Sequence, residues 1–341
     1  MASLAVSAEE IVQHPLNLRP QVVLLGAGAS CAAFPDGEPG GRRLPQMSDF
    51  IDVVGLRSLL EEQAPDLLDS ECGDNFELIY SALSEDPKHS KLCRVLEQQV
   101  RLYFAEMRLP ATATIYDRLV LALRPEDSIF TFNWDPFLFD AIERNRAVLP
   151  PPRVHYLHGC VRVAKCATHA SQVGNEDTRC LLCDQKLEGV PLLYPVKRKD
   201  YATDPFIAAE WAAASAAFAN SMILTIFGYG APLSDEEAKM RLKTAWIALS
   251  NRKLEHVEVI DRPNADLDTL QERWRVFSPT QHFQFIDSFV SSHIARWPRR
   301  ASESWYYPMS KGLPCFDFPL PEANDLRVVQ DYCRHLAEFE A

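Results

Sequence analysis

Four polar residues sit where apolar runs give out. Ser30 follows "VVLLGAGA" (22–29), Asn133 and Asp135 close "TFNWD" (131–135), and His158 closes "YLH" (156–158). Each run reads as a buried strand of a parallel sheet, and ligands gather at the carboxyl ends of such strands. Brought to one rim, a hydroxyl, an amide, a carboxyl and an imidazole could hold a polar ligand, and a histidine titrating near neutral pH suits proton transfer. Gly26, Ala27, Gly28, Ala29 and Ser30 form a turn with almost no side-chain bulk. A strand entering such a turn and then a helix directs backbone N–H groups at an anion, so a phosphate fits there.

A second cluster carries metal chemistry. Four of the nine cysteines fall between positions 160 and 183. Cys166 pairs with His169 across two intervening residues, and Cys180 pairs with Cys183 in the same way. This spacing puts two donors on one edge of a tetrahedron, and two such pairs complete a structural zinc site. Cys160 is the alternative to His169 as fourth ligand. The remaining cysteines, Cys31, Cys72, Cys93, Cys315 and Cys333, are scattered and read as small core or surface residues. With no basic leader ahead of the first apolar patch, no disulfide framework is expected.

The elements that must position these groups alternate. Strands are expected at 22–25, 127–133, 153–159, 222–228, 256–261 and 283–289. Helices are expected at 136–144, 204–220, 234–250, 265–275 and 323–339, the last with Leu326, Val329, Cys333 and Leu336 on one face. This rhythm predicts an α/β fold with a parallel sheet covered on both faces. Between the first two strands the chain makes a helical excursion. It starts at 48–62 behind a Ser48 N-cap, continues at 74–83 with Asp74 and Glu77 as a capping-box start, and runs on through 90–107 and 112–124. Residues 160–190, poor in apolar side chains, read as an inserted loop module, and the aromatic, proline-rich tail at 302–322 is expected to pack back on the domain or on a neighbouring subunit.

Composition sets limits. The 341 residues are 47% hydrophobic and carry a formal charge of −12, which argues against general nucleic-acid affinity. The basic stretches "VKRKD" (196–200) and "RWPRR" (296–300) read as solvated loops. No apolar run approaches the roughly 20 residues of a membrane helix, and a cytoplasmic location is expected.

Taken together, the GAG-x-S turn, the T-x-N-x-D strand end and the H-G pair, in this order, resemble the sirtuin (silent information regulator) superfamily over about residues 20–265. The resemblance implies a Rossmann-like NAD-binding domain with a helical insertion (48–124) and a small zinc-ribbon-like insertion (160–190), within a catalytic domain spanning 1–290, and a C-terminal extension over 291–341. It implies that Gly26, Ala27, Gly28 and Ser30 cradle the NAD pyrophosphate. Asn133 and Asp135 would hold the nicotinamide ribose and carboxamide, and His158 would be the general base. In "FGYGAPLSD" (227–235) and "EVIDRPNAD" (258–266), Gly228 and Asp261 would meet the cofactor. Zinc would be structural, held by Cys166, His169, Cys180 and Cys183.

The departures matter as much. Deacylases of this family follow the turn with G-I-P-D-F-R-S, whereas this chain reads "CAAFPDGEPGGRRLPQMSDF" (31–50), and "LPQM" (44–47) looks like the loop of divergent prokaryotic members that consume NAD, often in phage defence. The F-G-E strand that pairs with a peptide substrate is replaced by "PLLYPVKRKDY" (191–201), and Phe132 stands where deacylases commonly have glutamine. Tyr229 after Gly228, with Ser234 and Asp235 nearby, is also similar to the defence members. The expectation is an NAD glycohydrolase releasing nicotinamide and ADP-ribose, restrained by self-association or a protein partner. The alternatives are an NAD-dependent protein deacylase and a non-catalytic NAD or ADP-ribose sensor.

Overall fold

The computed structural model describes residues 5–169, 172–196, 201–232, 235–248, 255–277 and 282–340. Its strands are β1 (Gln21–Leu25), β2 (Ser128–Thr131), β3 (Arg153–Tyr156), β4 (Ala164–Lys165), β5 (Val173–Gly174), β6 (Glu188–Gly189), β7 (Ile223–Phe227), β8 (His256–Ile260) and β9 (Phe283–Ile286). Six of them form one parallel sheet in the order β3-β2-β1-β7-β8-β9, while β5-β4-β6 form a separate antiparallel sheet. Counted alone, the strands of the large sheet run 3-2-1-4-5-6, the doubly wound order in which the chain reverses direction of travel beside the first strand. Leu25 lies opposite both Thr131 and Phe227, and Phe227 opposite Ile260, so the strand ends share one rim.

Strand alternation divides the interior into two layers. Val23, Leu25, Ile129, Phe227 and Ile260 face one core, and Val22, Leu24, Phe130, Leu224, Ile226, Val257 and Val259 face the other. The first core is covered by helices Phe76–Glu85, Ser90–Ala105, Ile115–Ala122, Phe137–Asn145 and Leu326–Ala337. The second is covered by Pro205–Asn220, Glu236–Ile247 and Leu267–Trp274. Both faces of the sheet are therefore clad, as the alternation predicts. Val329, Cys333 and Leu336 of the last helix are buried, while Leu326 is only partly so.

Three sequence expectations need correction. The single helix at 48–62 is two, Phe50–Val54 and Arg57–Gln63, because Gly55 adopts a left-handed conformation (φ 79°) that ends the first. Its N-cap is Asp49, one residue after Ser48, and the helix Phe76–Glu85 is capped by Asn75 accepting from the Leu78 N–H at 3.3 Å, one residue after Asp74. The third concerns "RWPRR": Arg299 and Arg300 are buried, both paired with Glu340 near the C-terminus, and Arg299 also donates to the carbonyls of Leu121 and Leu123. A buried guanidinium needs this many acceptors, and the sequence places them far from it. Most of "VKRKD", residues 197–200, lies outside the described residues, as does Ser234.

Candidate active site

The small-residue turn is explained by what touches it. A Cβ at Gly26 would come within 2.5 Å of the Tyr229 Cα, and one at Gly28 within 2.7 Å of the Gly228 Cα. Gly228, at φ +63°, would place its own Cβ 2.1 Å from the Ala29 nitrogen. The turns after β1 and β7 thus interlock backbone to backbone, and the Gly28 N–H donates to the Gly228 carbonyl at 2.8 Å. Gly28 is committed to this packing, while Gly26, Ala27, Ser30 and Gly228 line a cleft beside it.

The cleft joins the three strand ends. It offers about 1070 Å³, part of it open to solvent, and its lining includes Asn133, Asp135, His158, Tyr229 and Asp235. Asp261 follows β8 on the same rim but is not among the lining residues. Apolar side chains line the rest: Leu44 and Met47 come from the segment after the first turn, and Phe50 and Phe104 come from the helical excursion. A cleft with a few convergent polar groups beside an apolar wall suits a small-molecule ligand.

A fully buried hydrogen-bond network underlies the polar side. Ser30 Oγ donates to Asp135 Oδ2 at 2.6 Å, and the Tyr116 hydroxyl lies 2.6 Å from Ser30 Oγ. With Ser30 donating to the carboxyl, Tyr116 is left to donate to Ser30. Asn133 Nδ2 reaches the Gly26 carbonyl (3.1 Å), Ser30 Oγ (3.0 Å) and the Tyr116 oxygen (3.3 Å), and its backbone N–H donates to Thr131 Oγ1 at 3.0 Å. One amide thereby ties the end of β2 to the turn after β1. Burial pushes the Asp135 carboxyl up to about 6 despite the hydrogen bonds from Ser30 and Phe137. Burial, reinforced by Asp135, holds the Tyr116 phenol well above its ordinary value, so it remains a donor.

His158 lies across the cleft. Its Nε2 is 3.9 Å from Asp235 Oδ1, and the Tyr229 hydroxyl donates to the other Asp235 oxygen at 3.0 Å. The imidazole meets the Phe132 ring edge-on, with centroids 4.6 Å apart, and Phe132 stacks on Tyr229 at 4.1 Å. Phe132 therefore serves as an apolar wedge that fixes the histidine and the tyrosine together. Sequence reasoning missed Tyr116, which no motif marks and which sits in the helical excursion far from Ser30. It noted Asp235 only as part of a pattern and did not foresee its approach to His158.

The cysteine module is built apart from the cleft. Cys166 Sγ lies 3.6 Å from Cys183 Sγ and 3.7 Å from His169 Nδ1, and Cys180 Sγ lies 3.4 Å from the same nitrogen. A zinc ion with ordinary bond lengths gives tetrahedral edges of about 3.8 Å between sulfurs and about 3.6 Å between sulfur and nitrogen. These residues fit that ion. Cys160 is elsewhere, donating to the Asp135 carbonyl at 3.4 Å with its thiol pushed up to about 12 by burial, so the fourth donor in the cluster is His169. For Cys166, burial is outweighed by hydrogen bonds from the His169 and Thr168 backbone, which bring its thiol down to about 6, toward the thiolate that binds metal. Among the described residues, the module's own apolar core is Ala164, Cys166, Cys180 and Leu187, with Cys183 against it.

No family model matches the chain, and no curated protein matches it. Among solved structures it is similar to a Sir2 homologue in complex with NAD, with 13% identity and a TM-score of 0.38 over 98% of this chain and 94% of that one. It is also similar to a Sir2 protein with a deacetylated p53 peptide and 3'-O-acetyl ADP-ribose (11% identity, TM-score 0.36, 89% and 96% covered). A third, solved in a study of the mechanism and regulation of Sir2 enzymes, shows 13% identity and a TM-score of 0.36 over 82% and 90%. Among the described residues no helix is long and apolar enough to cross a membrane.

Proposed function

We propose that this protein hydrolyses NAD to nicotinamide and ADP-ribose. The observation that carries the reading is the meeting of Ser30, Asn133, Asp135 and His158, from three separate strand ends, around one cleft. NAD is the substrate: water adds to the anomeric carbon, the bond to the nicotinamide nitrogen breaks, and one proton is released. Asn133 and Asp135 hold the nicotinamide ribose and the carboxamide, and Gly26, Ala27 and Ser30 meet the pyrophosphate. Gly28 supports them by packing on Gly228, and Asp261 is assigned to the adenosine end. His158 accepts the proton, with Asp235 favouring the imidazolium that results. The apolar wall of Phe50, Phe104 and Trp134 limits water around the oxocarbenium-like centre. Zinc held by Cys166, His169, Cys180 and Cys183 would hold the cysteine module together, apart from the cleft.

The defensive setting rests on "LPQM" and on Tyr229 with Asp235, which are similar to phage-defence members of the resembled family. Unrestrained NAD loss would harm the host. We therefore assign the helical excursion (48–124) and the residues after 290 as the surfaces through which self-association or a partner restrains turnover. Light scattering beside turnover tests this: a monomer with constant activity, indifferent to any partner, overturns it.

The test of the reaction is product analysis of NAD incubated with the purified chain and no peptide, beside His158→Ala and Asn133→Ala. Nicotinamide and ADP-ribose are expected from the parent chain and from neither variant. Turnover that needs an acyl-lysine peptide would establish the deacylase instead, and NAD binding without turnover would establish a sensor.

A further inference from the structure

Strand β8 is paired on both sides, yet it reads "HVEVI". Val257 and Val259 fill one core, while His256 and Glu258, two residues apart, project from the opposite face and are buried, Glu258 completely. A carboxylate and an imidazole in such a place are costly unless their lone pairs are met. The protein meets only part of that need. Glu258 Oε1 accepts the His293 backbone N–H at 3.1 Å and lies 3.5 Å from His293 Nδ1. Glu258 Oε2 and both ring nitrogens of His256 find no hydrogen-bond partner among the described residues. One ligand atom from each of His256, Glu258 and His293 lies within 4.8 Å of the others.

We propose that His256, Glu258 and His293 form a second divalent-cation site, suited to zinc and distinct from the cysteine cluster. Two imidazoles and a carboxylate are a zinc donor set, and the 3.5 Å separation of His293 Nδ1 from Glu258 Oε1 is close to the edge of about 3.4 Å that Zn–N and Zn–O bonds produce. A cation draws on one lone pair from each imidazole and from the carboxylate at once, which suits groups that the described residues leave without partners. The surroundings hold the ligands in place: the His256 ring stacks on Trp305 with centroids 4.1 Å apart, and Ser292 caps the short helix His293–Arg296 through the Ala295 N–H. His256 opens β8, so the site is at the end of that strand away from the cleft. Its role is to pin the sheet to the segment after residue 290, which supplies both His293 and Trp305.

The test uses the full chain with Cys180→Ser and Cys183→Ser, which empties the cysteine cluster, loaded with zinc and measured by elemental analysis and zinc-edge X-ray absorption. About one zinc per chain with nitrogen and oxygen neighbours only is expected, against about two in the parent. Adding His293→Gln removes the remaining ion. A double variant that holds no zinc, or that holds it equally well with His293→Gln, overturns the proposal. Should the double variant not fold, cobalt(II) titration of the metal-free parent decides. A second equivalent that binds without thiolate charge-transfer absorption supports the site, and saturation at one equivalent overturns it.

Discussion

Replacing Asp135 with asparagine separates stability from turnover. The Asp135 carboxyl is buried and its pKa is raised to about 6, so over the window from about 4 to about 6 the folded protein keeps a proton that the unfolded chain gives up. Stability therefore falls as pH rises through that window, and above it the native state carries the whole cost. A shift of about 2 units corresponds to about 3 kcal/mol. Asparagine does not ionise, and its oxygen still accepts from Ser30 or Phe137, but its new N–H group lacks a matched acceptor and returns about 1–2 kcal/mol. At pH 7.5 the variant is expected to be more stable than the parent by about 1–2 kcal/mol, with the advantage gone near pH 4.5. Urea unfolding of both proteins across this range measures the difference, and NAD turnover is expected to be lost. Asp127 is raised to about 6 by burial as well, so only the variant-minus-parent difference isolates Asp135. A difference that does not change with pH, or a variant less stable at every pH, refutes the reasoning.

Further substitutions and one treatment probe other parts. Gly228→Ala forces a Cβ onto the Ala29 nitrogen at 2.1 Å in a left-handed backbone and should cost about 3 kcal/mol or more in denaturant unfolding, whereas Gly230→Ala, with nothing within 4 Å, should be nearly neutral. Tyr116→Phe removes the hydroxyl that meets Ser30 and Asn133 and is expected to cost about 1–2 kcal/mol of stability. As a positioning residue it should lower kcat more than it raises KM, and an unchanged kcat argues against that role. Chelation of zinc should expose Cys166, Cys180 and Cys183 to a thiol reagent at neutral pH, Cys166 fastest, while circular dichroism of the large sheet holds; unchanged thiol counts would mean the cluster holds no metal.

The parts of this molecule that were legible in the sequence are those whose physics is local. Buried strands such as Val22–Leu25 announce themselves as apolar runs, the Gly26–Gly28 turn announces a close approach, and the spacing of Cys166, His169, Cys180 and Cys183 announces a tetrahedron. The sequence does not announce which backbone makes the approach: the partner of Gly26 and Gly28 is the turn at Gly228, some 200 residues on, brought there by the pairing of β1 with β7. Tyr116 was invisible for the same reason, being one tyrosine on an amphipathic helix until the fold sets its hydroxyl against Ser30. Arg299 and Arg300 misled because a charge run is ordinarily solvated, and only the return of the last helix supplies Glu340. His256 and Glu258 are a different matter. A histidine and a glutamate alternate with valines in β8, whereas the polar residues of the other inner strands, Gln21, Ser128, Thr131 and Thr225, do not titrate. That contrast was readable as a buried polar pair in need of partners before any fold was known.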